Sequence, residues 1–212
     1  MPLRDGRWLL PTSTWRGWDG YCPNGMKMVA LISADRGRSW PSWAEVMADP
    51  AGRVIYWESK IVELPDGRLL ATAWAYDERA AADLPNQYAL SRDGGASWSA
   101  PRSTGLQGQT LTPLALPDGR VLCVYRRMDD PGLWANLSRL RGDDWVNEEG
   151  VPLWGSRQAG LTSTSANMTH NFNVLRFGAP ALALRPDGSV LGAFWCYEDY
   201  VSNIRWFSLR LC

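Results

Sequence analysis

The chain has 212 residues, with 22 Lys and Arg against 22 Asp and Glu and a single His, so its formal net charge is zero. It lacks the basic excess with which proteins hold nucleic acid or anionic membranes, and neither is expected as a partner. Hydrophobic residues at 45% and charged residues at 21% fit a globular chain, and 13 Trp against 7 Tyr and 4 Phe point to a repeated packing position or a sugar-stacking surface.

The first recognisable element is the hairpin signal Leu3-Arg-Asp5-Gly6-Arg7, an Asp-Gly pair beside apolar runs. A loop segment, Trp15-Arg16-Gly17-Trp18-Asp19, follows it. Next comes the octapeptide Ser33-Ala-Asp35-Arg-Gly37-Arg-Ser39-Trp40. The same order then recurs, with a hairpin at Asp66-Gly67, a segment from Trp74 to Arg79, and the octapeptide Ser91-Arg-Asp93-Gly-Gly95-Ala-Ser97-Trp98. Both octapeptides read S-x-D-x-G-x-S-W and lie 58 residues apart (33 to 91). In such a box the carboxylate accepts turn N–H groups, Gly supplies a positive φ and Trp folds back on apolar neighbours.

A third unit has its hairpin at Asp118-Gly119, then Arg126-Arg127-Met128-Asp129-Asp130. Its decayed box at 138–145 keeps Ser138, Gly142 and Trp145 but has Leu140 in place of the Asp. The fourth hairpin is Asp187-Gly188, with Tyr197-Glu198-Asp199 beyond it. Each unit reads as strand A, Asp-Gly turn, strand B, variable loop, strand C, box turn, strand D. In the second unit the strands are expected at 55–64, 68–74, 87–91 and 97–101. No stretch has a helical period.

Four-stranded units recurring at this spacing make the chain an all-β β-propeller. The blades are expected at 1–50 without strand A, 51–105, 106–160, and 161–212 without the outer strand. Further blades are expected upstream. Cys123 and Cys196 read as small apolar strand residues. No membrane span, signal peptide or metal constellation is legible, and no cofactor is expected. Asn136 and Asn167 satisfy the glycosylation pattern, and His170 stands at the start of an expected strand.

The boxes and hairpins resemble the Asp boxes of the sialidase (neuraminidase) superfamily, six-bladed propellers that hydrolyse terminal sialic acids or related glycosides. That resemblance implies a glycoside hydrolase acting on a glycan, expected to be acidic, and a secreted or periplasmic location. Non-catalytic Asp-box propellers that bind glycans or proteins are the alternative. Since strands alternate in direction, strand A starts and B–C loops share one face, and the functional residues are placed there.

The segment Glu58-Ser-Lys-Ile-Val-Glu-Leu-Pro-Asp66-Gly67-Arg68 is similar to the sialidase segment whose Glu activates a tyrosine nucleophile, which implies Glu58 as base or charge stabiliser. Trp74 stands where the family has an Arg. The segment Ala179-Pro180-Ala181-Leu182 stands where it has the tyrosine. A mechanism with two carboxylates is therefore preferred, pairing Glu58 with Asp19, Asp77, Asp129 or Glu198. Arg16, Trp18, Arg126, Arg127, Asp129 and Arg176 are the expected substrate-binding residues, with an arginine clamp for a carboxylate. Ser33, Asp35, Gly37, Trp40, Ser91, Asp93, Gly95 and Trp98 are structural.

Overall fold

The computed structural model describes residues 1–212 apart from 157, 164, 166, 167 and 212, so the Asn167 sequon lies outside the described residues. The chain divides into two compact units, Met1–Gly105 and Leu106–Cys212, each with two antiparallel sheets. In the first unit β1 (Trp8–Thr14), β2 (Lys27–Ser33) and β3 (Ser42–Ala48) form one meander. The second meander there comprises β4 (Val54–Glu63), β5 (Leu69–Asp77), β6 (Ala82–Ser91) and β7 (Arg102–Ser103). The second unit holds β8 (Gly108–Ala115), β9 (Arg120–Arg127), β10 (Gly132–Arg141) and β11 (Asp144–Trp154), then α1 (Met168–Val174). Its last meander is β12 (Phe177–Leu184), β13 (Val190–Glu198) and β14 (Val201–Leu209). These sheets are propeller blades.

The four Asp-Gly turns are built alike. Gly6, Gly67, Gly119 and Gly188 each donate at 3.0 Å to the carbonyl three residues back. Their φ values run from +79° to +89°, the left-handed state that closes a three-residue hairpin loop. Oδ1 of each Asp accepts the N–H two residues on, from Arg7, Arg68, Arg120 or Ser189.

The two Asp boxes also share one hydrogen-bond set. Ser33 Oγ donates to Asp35 Oδ1 at 2.7 Å and accepts the Gly37 N–H at 2.8 Å, while the N–H and hydroxyl of Ser39 both donate to Asp35. Ser91, Asp93, Gly95 and Ser97 repeat it bond for bond. Gly37 packs against the rings of Trp8 and Trp40, and the Trp98 Nε1–H donates to the Gly95 carbonyl.

The second blade corrects the position expected for its strand D. Beyond the box the Ser99 hydroxyl accepts the Leu90 N–H, so a side chain takes the ladder position. The Ser99 N–H donates to the Leu90 carbonyl at 2.9 Å, and the strand ladder itself is confined to Tyr88↔Arg102 and Gln87↔Ser103. Strand D is therefore Arg102–Ser103 rather than 97–101. In the third unit the decayed box gives a tight hairpin instead, with Arg141 facing Asp144. Ser138 Oγ turns to Asn147 Oδ1, which also receives the Trp145 Nε1–H. Asn136 Nδ2 is consumed by Ser138 and Asn147 within this network.

A second correction concerns 168–174, expected to lead into a strand and found as helix α1, which carries His170. Seven residues make only two turns, too few for a period to show. Among the described residues no helix is long and apolar enough to cross a membrane.

Each unit has its own core. Leu9, Met28, Val46 and Met47 pack against Tyr56, Leu69 and the alternating Ala71, Ala73 and Ala75 of β5. Leu122, Val124 and Leu133 pack against Phe177, Val190, Phe194 and Cys196. Full burial of each Leu, Met or Phe contributes roughly 1.5–3 kcal/mol.

Candidate active site

Three of the four sheets carry the same irregularity in their first strand. Register slips between Trp57 and Lys60 in β4, between Gln109 and Thr112 in β8, and between Gly178 and Ala181 in β12. The first bulged residue has a left-handed backbone each time: Glu58 at φ +49°, Thr110 at +54° and Ala179 at +48°. Each lies eight residues before its hairpin Asp (66 − 58, 118 − 110, 187 − 179). Such a conformation costs a non-glycine residue roughly 1–2 kcal/mol, and its effect is to re-aim the side chain. In β4 that side chain is the exposed carboxylate of Glu58.

Trp57, immediately before the bulge, is the hub of four aromatic rings. Its ring centroid lies 5.6 Å from Trp15, 4.6 Å from Trp74 and 5.5 Å from Tyr76. Trp74 is buried and donates through Nε1 to Asp83 at 2.7 Å. The Trp57 Nε1–H, like that of Trp134, is buried with no hydrogen-bond partner, whereas buried donors in proteins are nearly always satisfied. Trp15 begins the loop of residues 15–26, and Arg16 beside it pairs with Glu78 at 2.5 Å. The loop is thus fastened to the second blade by one ring contact and one ion pair. Trp15 is 60% exposed and Trp18 fully so.

The other predicted carboxylates have local duties. Asp19 Oδ1 accepts the Tyr21 N–H at 2.9 Å, and Asp77 Oδ1 accepts the N–H groups of Arg79 and Ala80. In the second unit Glu198 accepts Arg205 Nε at 2.8 Å, and that hydrogen bond holds its carboxyl below the usual range. Asp129 is held below its usual range by Arg127, which donates to both of its oxygens at 2.8 and 2.9 Å.

Each predicted arginine is also engaged. Arg126 is 2% exposed; its Nε and Nη2 donate to Gln109 Oε1, and Nη1 donates to the Phe177 carbonyl at 2.8 Å. It ties β9 to β8 and β12. Arg127 adds to its Asp129 pair a contact over the Trp134 ring, 4.4 Å from the centroid. Arg176 lies over Tyr197 at 5.3 Å and donates to the carbonyls of Asn173 and Leu175. Asp83, which holds Trp74, and Gly178, against which Arg126 packs, have no signal in the sequence, whereas the common offset of eight could have revealed the three bulges. Among the described residues no group of three or more His, Cys, Asp or Glu is placed to hold a metal ion.

No family model matches the sequence, and no curated protein does. Solved structures do. A protein of unknown function from Dyadobacter fermentans superposes with a TM-score of 0.67 at 21% identity over 98% of this chain and 51% of its own. The NanB sialidase from Streptococcus pneumoniae gives 0.65 at 18% over 100% and 30%. An α-L-arabinofuranosidase from Fusarium graminearum, solved with an iminosugar inhibitor, gives 0.61 at 16% over 99% and 60%. The fold is a β-propeller of the kind seen in these structures. The propeller chain described here spans only 30–60% of the length of these three, and at such identities the likeness is one of fold.

Proposed function

We propose that the chain belongs to a glycoside hydrolase of the propeller class, with Glu58 as the base or charge-stabilising carboxylate at the glycosidic bond. The observation that carries this reading is the backbone of Glu58: an exposed acid held left-handed at φ +49° beside a four-ring aromatic cluster. The same bulge in β8 and β12 presents Thr110 and Ala179, so what marks β4 is the carboxylate that its bulge re-aims. The second carboxylate is assigned to Asp19 or Asp77, which lie in the same compact unit as Glu58. Asp19 and Asp77 are fixed through Oδ1, so each carries a preorganised Oδ2. The fold shared with a sialidase and an arabinofuranosidase supports a glycan as substrate.

A glycan-binding propeller without catalysis is the second reading, favoured by the turn duties of Asp19 and Asp77. The two separate in a screen of the full-length protein against aryl glycosides and polysaccharides. Turnover that falls by roughly 10²–10⁴ in Glu58→Gln supports the enzyme. Glycan binding without turnover, unchanged in that variant, supports the binder.

A further inference from the structure

We infer that the loop between β1 and β2 is a second saccharide subsite, with Trp18 as the platform for the sugar next to the one at Glu58, so that the substrate is a glycan chain and not a single ring. This rests on the glycosidase reading and adds to it a preference for chain length.

The loop is longer than its blade requires. Residues 78–81 join β5 to β6, 128–131 join β9 to β10 and 199–200 join β13 to β14, whereas 15–26 spans twelve residues (26 − 15 + 1). Short connections close the other hairpins, so the surplus serves something other than the sheet. It carries aromatic rings at 15, 18 and 21, and all three are exposed. Large apolar side chains gathered in the open on one short segment mark a contact surface.

The backbone around Trp18 is fixed although its ring packs on nothing. The Gly17 N–H donates to the Tyr21 carbonyl at 3.0 Å, the Gly20 N–H to the Gly17 carbonyl at 2.9 Å, and the Tyr21 N–H to Asp19 Oδ1 at 2.9 Å. A methyl group on Gly17 would come within 2.8 Å of that same oxygen, so the turn closes tightly around a glycine. Trp18 thus stands fully exposed on a pinned turn. Trp15 fastens the near end of the loop to Trp57, the residue before Glu58, and Arg16 adds its pair with Glu78. Three residues of chain reach at most about 10 Å, which keeps Trp18 close to the strand that carries Glu58.

The size of the surface selects a sugar over a protein. Aromatic side chains bury roughly 150–250 Å² each, so three rings fall short of the roughly 800 Å² per partner of a standard protein interface. Trp15 and Tyr21 are already partly covered, which widens the shortfall. The charges of the loop are spent locally, Arg16 on Glu78 and Asp19 on the Tyr21 N–H. What it offers outward is a flat apolar face with an indole N–H, matched to the C–H face and hydroxyls of one sugar ring.

The test is hydrolysis by the full-length protein of arabino-, xylo- and galacto-oligosaccharides and of sialyllactose. Each is run beside the glycosyl fluoride of its terminal sugar, whose leaving group has no ring to stack. Trp18→Ala and Trp18→Phe are compared with the parent. The expected result is that kcat/KM on an oligosaccharide, divided by that on its fluoride, falls about tenfold in Trp18→Ala and is kept in Trp18→Phe, at an unchanged urea midpoint. An undiminished ratio in Trp18→Ala overturns the platform while leaving a glycosidase intact. A smaller assembly in gel filtration for that variant also overturns it, by marking the loop as a protein interface. No turnover of any probe, fluorides included, overturns the glycosidase reading and the subsite with it.

Discussion

Glu58 and Thr110 share one backbone state: each opens a bulge eight residues before its hairpin Asp, at φ +49° and +54°. Neither residue type favours that state, so the strand geometry and not the side chain imposes it. What differs between blades is the group presented there, a carboxylate in one and a hydroxyl in the other.

Glu58→Gly should therefore leave stability within about 1 kcal/mol of the parent, because relief of the left-handed strain offsets the greater freedom of Gly in the unfolded chain. Glycan turnover should vanish in the same variant. Urea unfolding and a turnover assay on one preparation check both halves, and a large loss of stability would mark Glu58 as a structural residue.

Arg126 and Gly178 should be coupled. A methyl group on Gly178 would come within 2.2 Å of Arg126 Nη1, and the guanidinium is held in place by Gln109 and the Phe177 carbonyl. Gly178→Ala should cost about 2 kcal/mol, and Arg126→Leu about 3 kcal/mol because it leaves buried acceptors unpaired. A double-mutant cycle by urea unfolding should show the double variant less destabilised than the two losses added together.

The Asp boxes predict an acid transition. Hydrogen bonds from Ser39 and Ser33 to Asp35, and from Ser97 and Ser91 to Asp93, lower both carboxyls from 3.8 to about 2. Groups depressed on folding contribute stability that is fully present above 3.8 and is lost as pH falls toward about 2. Thermal melts between those limits should show the parent declining with acid. The Asp35→Asn, Asp93→Asn double variant should be less stable at neutral pH and flatter across that window.

The Arg16–Glu78 pair is exposed, and such pairs contribute about 0–1 kcal/mol. Glu78→Gln should thus barely change the melting temperature while loosening the loop that carries Trp15 and Trp18. Amide exchange should rise over residues 15–26, and KM for a glycan should rise more than kcat falls.

Turn chemistry was the most legible feature of the sequence. Asp-Gly at 5, 66, 118 and 187 and the boxes at 33–40 and 91–98 each demand specific φ values and specific acceptors, and those demands are written in residue identity. Strand A of the second blade, expected at 55–64, is found at Val54–Glu63. Strand D of that blade was displaced by a hydrogen bond from Leu90 to the Ser99 hydroxyl, which no propensity foretells. Helix α1 was too short to leave a period. The bulges hid because Glu58, Thr110 and Ala179 have nothing chemical in common; only their offset from the hairpin Asp repeats. The arginines were identified as residues but not in their state, since ion pairs and buried acceptors depend on neighbours brought in by the fold.

The most direct test is the turnover number of the full-length protein against that of Glu58→Gln on an aryl glycoside that the parent hydrolyses. The carboxylate reading predicts a loss of roughly 10²–10⁴ in kcat, with glycan binding retained. Undiminished turnover in Glu58→Gln contradicts it.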